Sequence, residues 1–206
     1  MPRRVDHEER RRQITDACRR VVARDGLEAA TFQAVAAEAG VSVRLVQYYF
    51  GHKHGLLMAT HRAVIEDAAG RFGGGEPAAP PPPRAVLRAV LAALLPLDDA
   101  RRADAVVLAA FHAAALTNEA VEPEELRGAP RVLVDVVAAQ VLRARGDDGA
   151  GGAGTVRLDA ELVLAAAAGL TQGIVAGHLT GETALAVVDR LLDQLVGAAP
   201  GVSGTS

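Results

Sequence analysis

Arg44 and Gln47 have side chains well suited to reading hydrogen-bonding groups on another molecule. Their spacing of three residues puts both on one face of a helix. An arginine can donate two hydrogen bonds to guanine or bind phosphate, a glutamine can form two hydrogen bonds with adenine, and Val43 offers an apolar contact for a thymine methyl group. The hydroxyls of Thr31 and Ser42, each at the start of a predicted helix, suit phosphate oxygens. These residue types indicate contact with a nucleic acid duplex.

Two short helices that cross at a tight turn would present these side chains. Gly40 can make the turn, because glycine adopts the left-handed conformation that ends a helix at no steric cost. Ser42 then caps the second helix. The apolar residues spaced to hold the two helices together are Phe32, Val35, Ala36, Val41, Val46, Tyr49 and Phe50. The pattern predicts a helix-turn-helix, although a two-helix corner of any alanine-rich protein is an alternative reading of the same spacings.

The distribution of charge favours a polyanion-binding head. The whole chain has a net charge of -3, but residues 1–62 carry 11 basic against 7 acidic residues (+4), and the remainder carries 11 against 18 (-7). A basic end on an acidic body suits binding to phosphates through that end. Lys53, at the start of the next predicted helix, suits a further phosphate contact.

Composition indicates an all-α protein. The chain has 206 residues, of which 50% are hydrophobic and 3% aromatic. Alanine and leucine favour closely packed helices over aromatic-rich strands. The one cysteine, Cys18, lies on the apolar stripe of the first predicted helix and is expected in the core. No apolar stretch reaches 18 residues, so a soluble, cytoplasmic protein without a membrane partner is expected.

Catalytic and metal-binding patterns do not explain this sequence. It contains no nucleophile elbow, zinc protease motif or P-loop. The glycines of residues 149–154 match G-x-G-x-x-G, but no strand precedes them, so a low-complexity loop explains them better. His52, His54 and His61 have no cysteine or acidic partner at ligand spacing. We therefore expect no enzyme activity, no metal site and no cofactor.

The chain divides at residue 52 into two predicted domains. Residues 1–52 form a three-helix head, and its first helix, from about Asp6 to Asp25, carries arginines that either face solvent or reach phosphate. Residues 53–206 form a helical body for effector binding and dimerisation, interrupted by the glycine- and proline-rich loop 73–83. The whole chain should contain about nine helices.

The last two predicted helices could pair with those of a second copy. Gly169, Gly173 and Gly177, at intervals of four, fall on one helical face. Each glycine costs a helix about 1 kcal/mol relative to alanine, which close approach by another helix would offset. The last helix carries an apolar stripe with residues three and four apart: Leu185, Val188, Leu192 and Leu195. These residues predict a four-helix bundle across a two-fold axis, with packing inside one chain as the alternative.

Four larger or polar side chains on otherwise aliphatic body helices are the candidates for an effector pocket. They are Phe111, His112, Gln140 and Gln172. The alternative role for each is that of a core residue whose polar atoms are satisfied within the fold. The aliphatic surroundings predict an apolar small molecule with few polar groups.

Residues 8–62 resemble the DNA-binding domain of the tetracycline-repressor (TetR) family. The resemblance rests on the arginine-bearing first helix, the pattern T-x-x-x-V-A-x-x-A-G-V-S from Thr31, and the stretch F-G-H-K-H-G-L-L from Phe50. Residues 96–116 also resemble the body of betaine-regulator-like members. The resemblance implies a homodimer that represses transcription until an effector enters the body and separates the two heads.

The chain departs from the family pattern in the recognition helix. Gln47 stands where the family commonly has tyrosine, and Tyr49 where it commonly has histidine. Phosphate contacts are therefore expected from Tyr48 and Tyr49, and Gln33 occupies a position from which some members read a base.

The function expected from these features is that of a ligand-responsive, homodimeric repressor. Its partners would be a palindromic double-stranded operator, a second copy of the chain and an unidentified small apolar effector. Two alternatives remain at this point: a helical protein-interaction module that binds no DNA, and a regulator that needs no ligand. An activator would have the same head, so the sequence does not separate the sign of regulation.

Overall fold

The computed structural model describes residues 2–71, 81–117, 126, 128–146 and 153–197. All regular elements in these ranges are α-helices, which confirms the all-α prediction. The helices of the described ranges are α1 (Pro2–Asp25), α2 (Phe32–Ala39), α3 (Val43–Phe50), α4 (Lys53–Gly70), α5 (Pro83–Leu94), α6 (Asp99–Thr117), α7 (Gly128–Arg145), α8 (Ala153–Val175) and α9 (Gly181–Val196).

Local sequence signals account for several of these boundaries. Gly40 ends α2 in the left-handed conformation, with φ 67° and ψ 32°, as its position predicts. α1 begins at Pro2, earlier than the expected Asp6, because a proline suits the first helical position. Pro83 begins α5 for the same reason. Most of the predicted loop 73–83 lies outside the described residues.

The chain forms two compact units. The first comprises Met1–Gly70 and Asp98–Arg127, and the second comprises Arg71–Leu97 and Gly128–Ser206. α4 and α6 thus belong to the same compact unit as the helix-turn-helix. The domain boundary proposed at residue 52 concerns function and stays a prediction.

α1 is the central element of the first unit. It packs against α2, α4 and α6, and its apolar stripe, which includes Ile14 and Val21, is buried. Cys18 is fully buried on this stripe, as expected. Burial raises the pKa of the Cys18 thiol to about 11, so the thiol stays protonated at neutral pH.

The second unit is built from α5, α7, α8 and α9. Two arginines of α5 hold the C-terminal part of α9. Arg88 donates two hydrogen bonds to the Asp189 carboxylate, at 2.7 and 3.1 Å, which raise the pKa of its guanidinium. Arg84 pairs with Asp193 and donates to the carbonyl oxygen of Gly197 at 3.2 Å. The fully buried residues include Leu87, Leu91, Leu95, Val137, Val141, Ala160, Ala184 and Leu192.

α8 is the most apolar long helix of the described ranges. Its residues Gly154–Val175 would be long and apolar enough to cross a membrane, a test that the core helices of soluble proteins also pass. Arg157 and Asp159, in its first turns, form ion pairs with Asp135 (3.0 Å) and Arg145 (2.6 Å) of α7. Only 28% of the apolar window is buried within the chain, so α8 leaves an apolar face uncovered.

Candidate DNA interface

Side-chain caps define the start of both helices of the helix-turn-helix. The Thr31 hydroxyl accepts a hydrogen bond from the amide of Ala34 at 3.1 Å, and the Ser42 hydroxyl accepts one from Leu45 at 3.2 Å. Each hydroxyl therefore uses a lone pair on its own helix and keeps its O–H as a donor. Thr31 and Ser42 are exposed, so the caps are compatible with the predicted phosphate contacts.

The residues predicted to read bases lie on the exposed face of α3. Arg44 and Gln47 are exposed and Val43 is half-buried. On the opposite face Val46 and Phe50 are buried in the core of the first unit. One face of α3 therefore anchors the helix, while the other presents a guanidinium and an amide to the surroundings. Gln33 of α2 is exposed as well.

Two side chains of α1 form hydrogen bonds with the C-terminal ends of α2 and α3, the two helices of the helix-turn-helix. Gln13 donates to the carbonyl oxygen of Ala39 at 2.8 Å. Arg11 donates to the carbonyl oxygen of Tyr49 at 3.2 Å, and its guanidinium lies 4.8 Å from the centroid of the Phe50 ring. These contacts satisfy carbonyl groups that a helix end leaves without partners. Sequence reasoning missed this role, because the contacts join residues 26 and 38 positions apart.

Other arginines of α1 also make contacts within the chain. Arg20 and Arg24 donate to the carboxylate of Glu38 on α2, at 2.7 and 3.1 Å, and these hydrogen bonds lower the pKa of Glu38. Arg19 pairs with Asp67 of α4 at 2.9 Å and with Asp104 of α6. The arginine face of α1 thus serves largely to hold the other helices of the first unit.

Two adjacent tyrosines at the end of α3 differ in environment. Tyr48 is 72% exposed. Tyr49 is half-buried, and its ring contacts His7 of α1 (centroids 5.0 Å apart) and Phe50 (6.3 Å). Of the two predicted phosphate contacts, Tyr48 has the more accessible side chain. His7 is a neighbour that the sequence patterns did not indicate.

The start of α4 places two further polar side chains, those of His52 and Lys53, at the same end of α3. The Lys53 ammonium donates to the carbonyl oxygen of Glu28 at 3.1 Å. His52 caps α4, because its Nδ1 accepts a hydrogen bond from the amide of Gly55 at 3.0 Å. A Cβ at Gly55 would lie 2.5 Å from the carbonyl oxygen of Phe50, so a glycine is needed where α3 and α4 meet.

Two family models match the sequence. The model for bacterial regulatory proteins of the tetR family covers residues 14–60. The C-terminal model for BetI-type transcriptional repressors covers residues 83–197, which is more than half of the chain. The chain belongs to the TetR family of transcriptional regulators. Both models describe transcriptional regulators, and the second describes repressors.

Individual transcriptional regulators are also similar to this chain. The regulator BetI of Burkholderia thailandensis is 43% identical over 93 residues, which cover 45% of this chain and 48% of that protein. The match thus spans about half the length of this curated relative. A transcriptional regulator from Rhodococcus sp. Rha1 has a solved structure that is 26% identical, with a TM-score of 0.77, and covers 92% of this chain and 99% of its own.

A second solved structure shows the fold alone, because its identity is low. It is a regulator from Saccharomonospora viridis in complex with choline, 18% identical, with a TM-score of 0.77. The alignment covers 90% of this chain and 96% of that one. The same fold therefore extends over most of the chain, further than the 93 residues aligned with BetI.

The four residues predicted for the effector pocket of this TetR-family chain lie in different units. Phe111 is fully buried in the first unit, where its ring contacts that of His61, with centroids 5.1 Å apart. His112 is exposed in the same unit, whereas Gln140 and Gln172 belong to the second. Neither unit alone assembles the predicted set. Burial, together with the charge of His112, lowers the pKa of His61.

A groove of about 250 Å³ lies between α1 and α4 in the first unit. It contains none of the four residues predicted for the effector. Its lining is mostly charged and does not resemble the apolar pocket that the sequence predicts. The lining residues are Glu8, Arg11, Arg12, Thr15, Asp16, Ala59, Arg62, Ala63, Glu66 and Asp67.

The predicted dimerisation residues have mixed environments. Val188 and Leu192 are buried in the second unit, and Leu185 and Leu195 pack against the same core. This stripe is therefore largely occupied within one chain, because α9 must cover its own unit. The role of these residues in dimerisation stays a prediction.

The three glycines of the predicted stripe also differ. Gly169 is exposed on α8, and a Cβ there would meet open space. Gly173 is packed against Leu179 of its own chain. α8 ends at Val175, and Gly177 lies in the turn that follows it, with φ 80°. Two of the glycines thus shape the turn between α8 and α9, and Gly169 alone lies on the uncovered face.

Proposed function

We propose that this TetR-family protein is a homodimeric repressor that binds a palindromic operator and leaves it when a small apolar effector binds the body. The observation that carries the proposal is the exposure of Arg44 and Gln47 on a helix that is anchored on its other face. A fixed helix with a guanidinium and an amide in register suits bidentate contacts in the major groove. The basic charge of residues 1–62 supports the same role.

Operator selection from a pool of random duplexes tests the proposal. The recovered sequences should contain two inverted half-sites whose centres lie about one helical turn apart, because a two-fold dimer places its recognition helices in successive major grooves. Binding to the recovered duplex should weaken steeply between 50 and 200 mM salt, on the order of 10³-fold if about six phosphates are contacted. A helical interaction module would bind no duplex at any salt concentration.

Dimerisation is supported by the uncovered apolar face of α8 and α9. Leu158 and Leu162 are 71% and 52% exposed, and the exposed Gly169 continues the same stretch of α8. Val187 of α9 is 42% exposed. Exposed apolar residues beside a small residue on a helix suit close packing against a second copy across a two-fold axis.

Leu162→Glu is expected to convert the dimer into a monomer. A carboxylate buried at the two-fold axis would meet its own copy, and both burial and repulsion oppose association. Analytical ultracentrifugation at about 10 μM should show the monomer mass, and affinity for the palindrome should fall more than about tenfold as the second half-site is lost. Val132→Glu, at a position of α7 that is 65% exposed, is the matched control and should remain dimeric. A dimeric Leu162→Glu protein would contradict this assignment of the interface.

The effector is proposed to be apolar because the body is aliphatic. Phe72 and Phe111 are the only Phe, Tyr or Trp residues after Phe50, so a cage of aromatic rings around a quaternary ammonium is hard to assemble. The Saccharomonospora protein, in contrast, is a complex with choline. Operator-release assays should therefore compare choline with uncharged apolar compounds. A regulator that needs no ligand would remain bound to its operator in the presence of every compound tested.

A further inference from the structure

An acidic residue lies on the surface that is proposed to contact the phosphates of the DNA backbone. Glu28, in the loop between α1 and α2, has a carboxylate oxygen 3.6 Å from the Lys53 ammonium, and its side chain is 77% exposed. Lys53 is itself the lysine predicted to bind a phosphate. In the absence of DNA, a negative charge therefore occupies part of the space around that ammonium.

The two oxygen-bearing groups of Glu28 act differently on Lys53. The backbone carbonyl accepts a hydrogen bond at 3.1 Å, which fixes the position of the ammonium. The carboxylate lies beyond hydrogen-bond distance and faces solvent, so its attraction for the ammonium is weak and screened. The position of Lys53 consequently depends on the backbone of residue 28 and very little on its carboxylate.

We propose that Glu28 is an electrostatic brake on DNA binding: its carboxylate competes with a backbone phosphate for Lys53 and repels that phosphate. The inference rests on the proposed binding of duplex DNA by α3 and the start of α4. An ammonium has three donors, of which the carbonyl of Glu28 takes one, so a phosphate can bind Lys53 while the carboxylate remains close by. The carboxylate and the phosphate then share one ammonium, which lowers the affinity of the protein for DNA.

The brake acts on every duplex, because phosphates carry no sequence information. It should lower binding to operator and to unrelated DNA by the same factor, so the ratio between them stays constant. A repressor must leave the many non-specific sites of a genome quickly, and a weaker phosphate contact serves that need. Glu28 is thus an affinity-tuning residue, whereas Arg44 and Gln47 are the proposed base readers.

Glu28→Gln removes the charge and keeps both the side-chain size and the backbone carbonyl. Fluorescence anisotropy with a labelled random-sequence duplex of 30 base pairs, at 50, 100 and 200 mM salt, measures the effect without knowledge of the operator. We expect about two- to threefold tighter binding at 100 mM salt: the screened repulsion of one unit charge about 6 Å from a phosphate accounts for about twofold, and the lost competition for Lys53 adds to it. The slope of log K against log[salt] should steepen by up to about 1.

Three control proteins make the result specific. Glu182→Gln, an exposed acidic residue at the start of α9, should leave affinity unchanged within a factor of about 1.5. Lys53→Gln should weaken binding, and Glu28→Gln added to it should give a smaller gain than in the unmodified protein, because without the ammonium only the repulsion between carboxylate and phosphate remains to be relieved. Equal melting temperatures in all four proteins would show that folding is not the cause.

Opposite results would overturn the inference in distinguishable ways. Unchanged or weaker binding by Glu28→Gln would overturn the brake, and so would an equal gain in the Lys53→Gln background. In either case, salt-dependent DNA binding by the unmodified protein would still support the proposed function. Equal gains in DNA affinity from Glu28→Gln and Glu182→Gln would show that the effect comes from the net charge of the protein, and would also overturn the brake. Absence of duplex binding at 50 mM salt would overturn the proposed function and the brake together.

Discussion

Arg44→Ala and Gln47→Ala are each expected to weaken operator binding by about 1–3 kcal/mol, or about 5- to 150-fold. Both side chains are exposed on α3 and neither supports the core, so the loss comes from base contacts and not from unfolding. Affinity for a random duplex should change much less, because base readers contribute little to non-specific binding. Anisotropy titrations of both variants against the selected operator and a scrambled duplex measure this difference.

The comparison of the two duplexes also assigns the role of Arg44. If its guanidinium binds phosphate and not guanine, Arg44→Ala should weaken binding to both duplexes by the same factor. Arg143→Ala, an exposed arginine of α7, is the matched control for the loss of one positive charge. Undiminished operator binding by both Arg44→Ala and Gln47→Ala would refute their assignment as base readers.

The helix-turn-helix could be predicted because its signals are local. Gly40 marks the turn through its freedom to adopt positive φ, and the side chains of Thr31 and Ser42 mark the helix starts through caps that reach three residues forward. Each signal lies within a few residues of the feature it determines. The same is true of the buried stripe that includes Cys18, which follows from helical periodicity.

The functions of the α1 arginines could not be predicted, because their partners are distant in sequence. A stripe of arginines outside an apolar face fits solvent, phosphate or carboxylate equally well. The partners of Arg11, Arg19 and Arg20 lie 38, 48 and 18 residues away. Only the packing of α2, α3 and α4 against α1 brings those groups within reach.

The stripe of α9 illustrates a second limit of sequence reasoning. Periodicity indicates that Val188 and Leu192 face something apolar, but it does not distinguish the core of the same chain from a second copy. In the structure both are buried within their own unit. The uncovered residues, such as Leu162 and Val187, are interspersed with charged and small ones, so they make no comparable stripe. A protein-binding face can therefore be less apparent in sequence than a core.

Asp104→Asn is expected to destabilise the first unit by about 3 kcal/mol, the lower end of the cost of breaking a buried ion pair, because Arg19 keeps Asp67 as a second partner. Arg19 of α1 pairs with Asp67 of α4 and with Asp104 of α6, so one guanidinium joins three helices. Asp104 is only 4% exposed. An amide in its place would leave the Arg19 guanidinium, itself only 20% exposed, without a charged partner on that side. Urea unfolding followed by far-ultraviolet circular dichroism measures the change.

Two further variants decide whether burial sets the size of this effect. Asp67 binds the same arginine but is 45% exposed, so Asp67→Asn should cost no more than about 1 kcal/mol. Replacing both partners, as Arg19→Met with Asp104→Leu, should cost less than Asp104→Asn alone, because neither charge is then left buried without its partner. Equal losses for Asp67→Asn and Asp104→Asn would contradict the argument. If the argument holds, a buried carboxylate of α6 supports the fold of the head together with the apolar residues of the same helix, such as Phe111. The recognition helix then depends in part on a residue about 60 positions downstream.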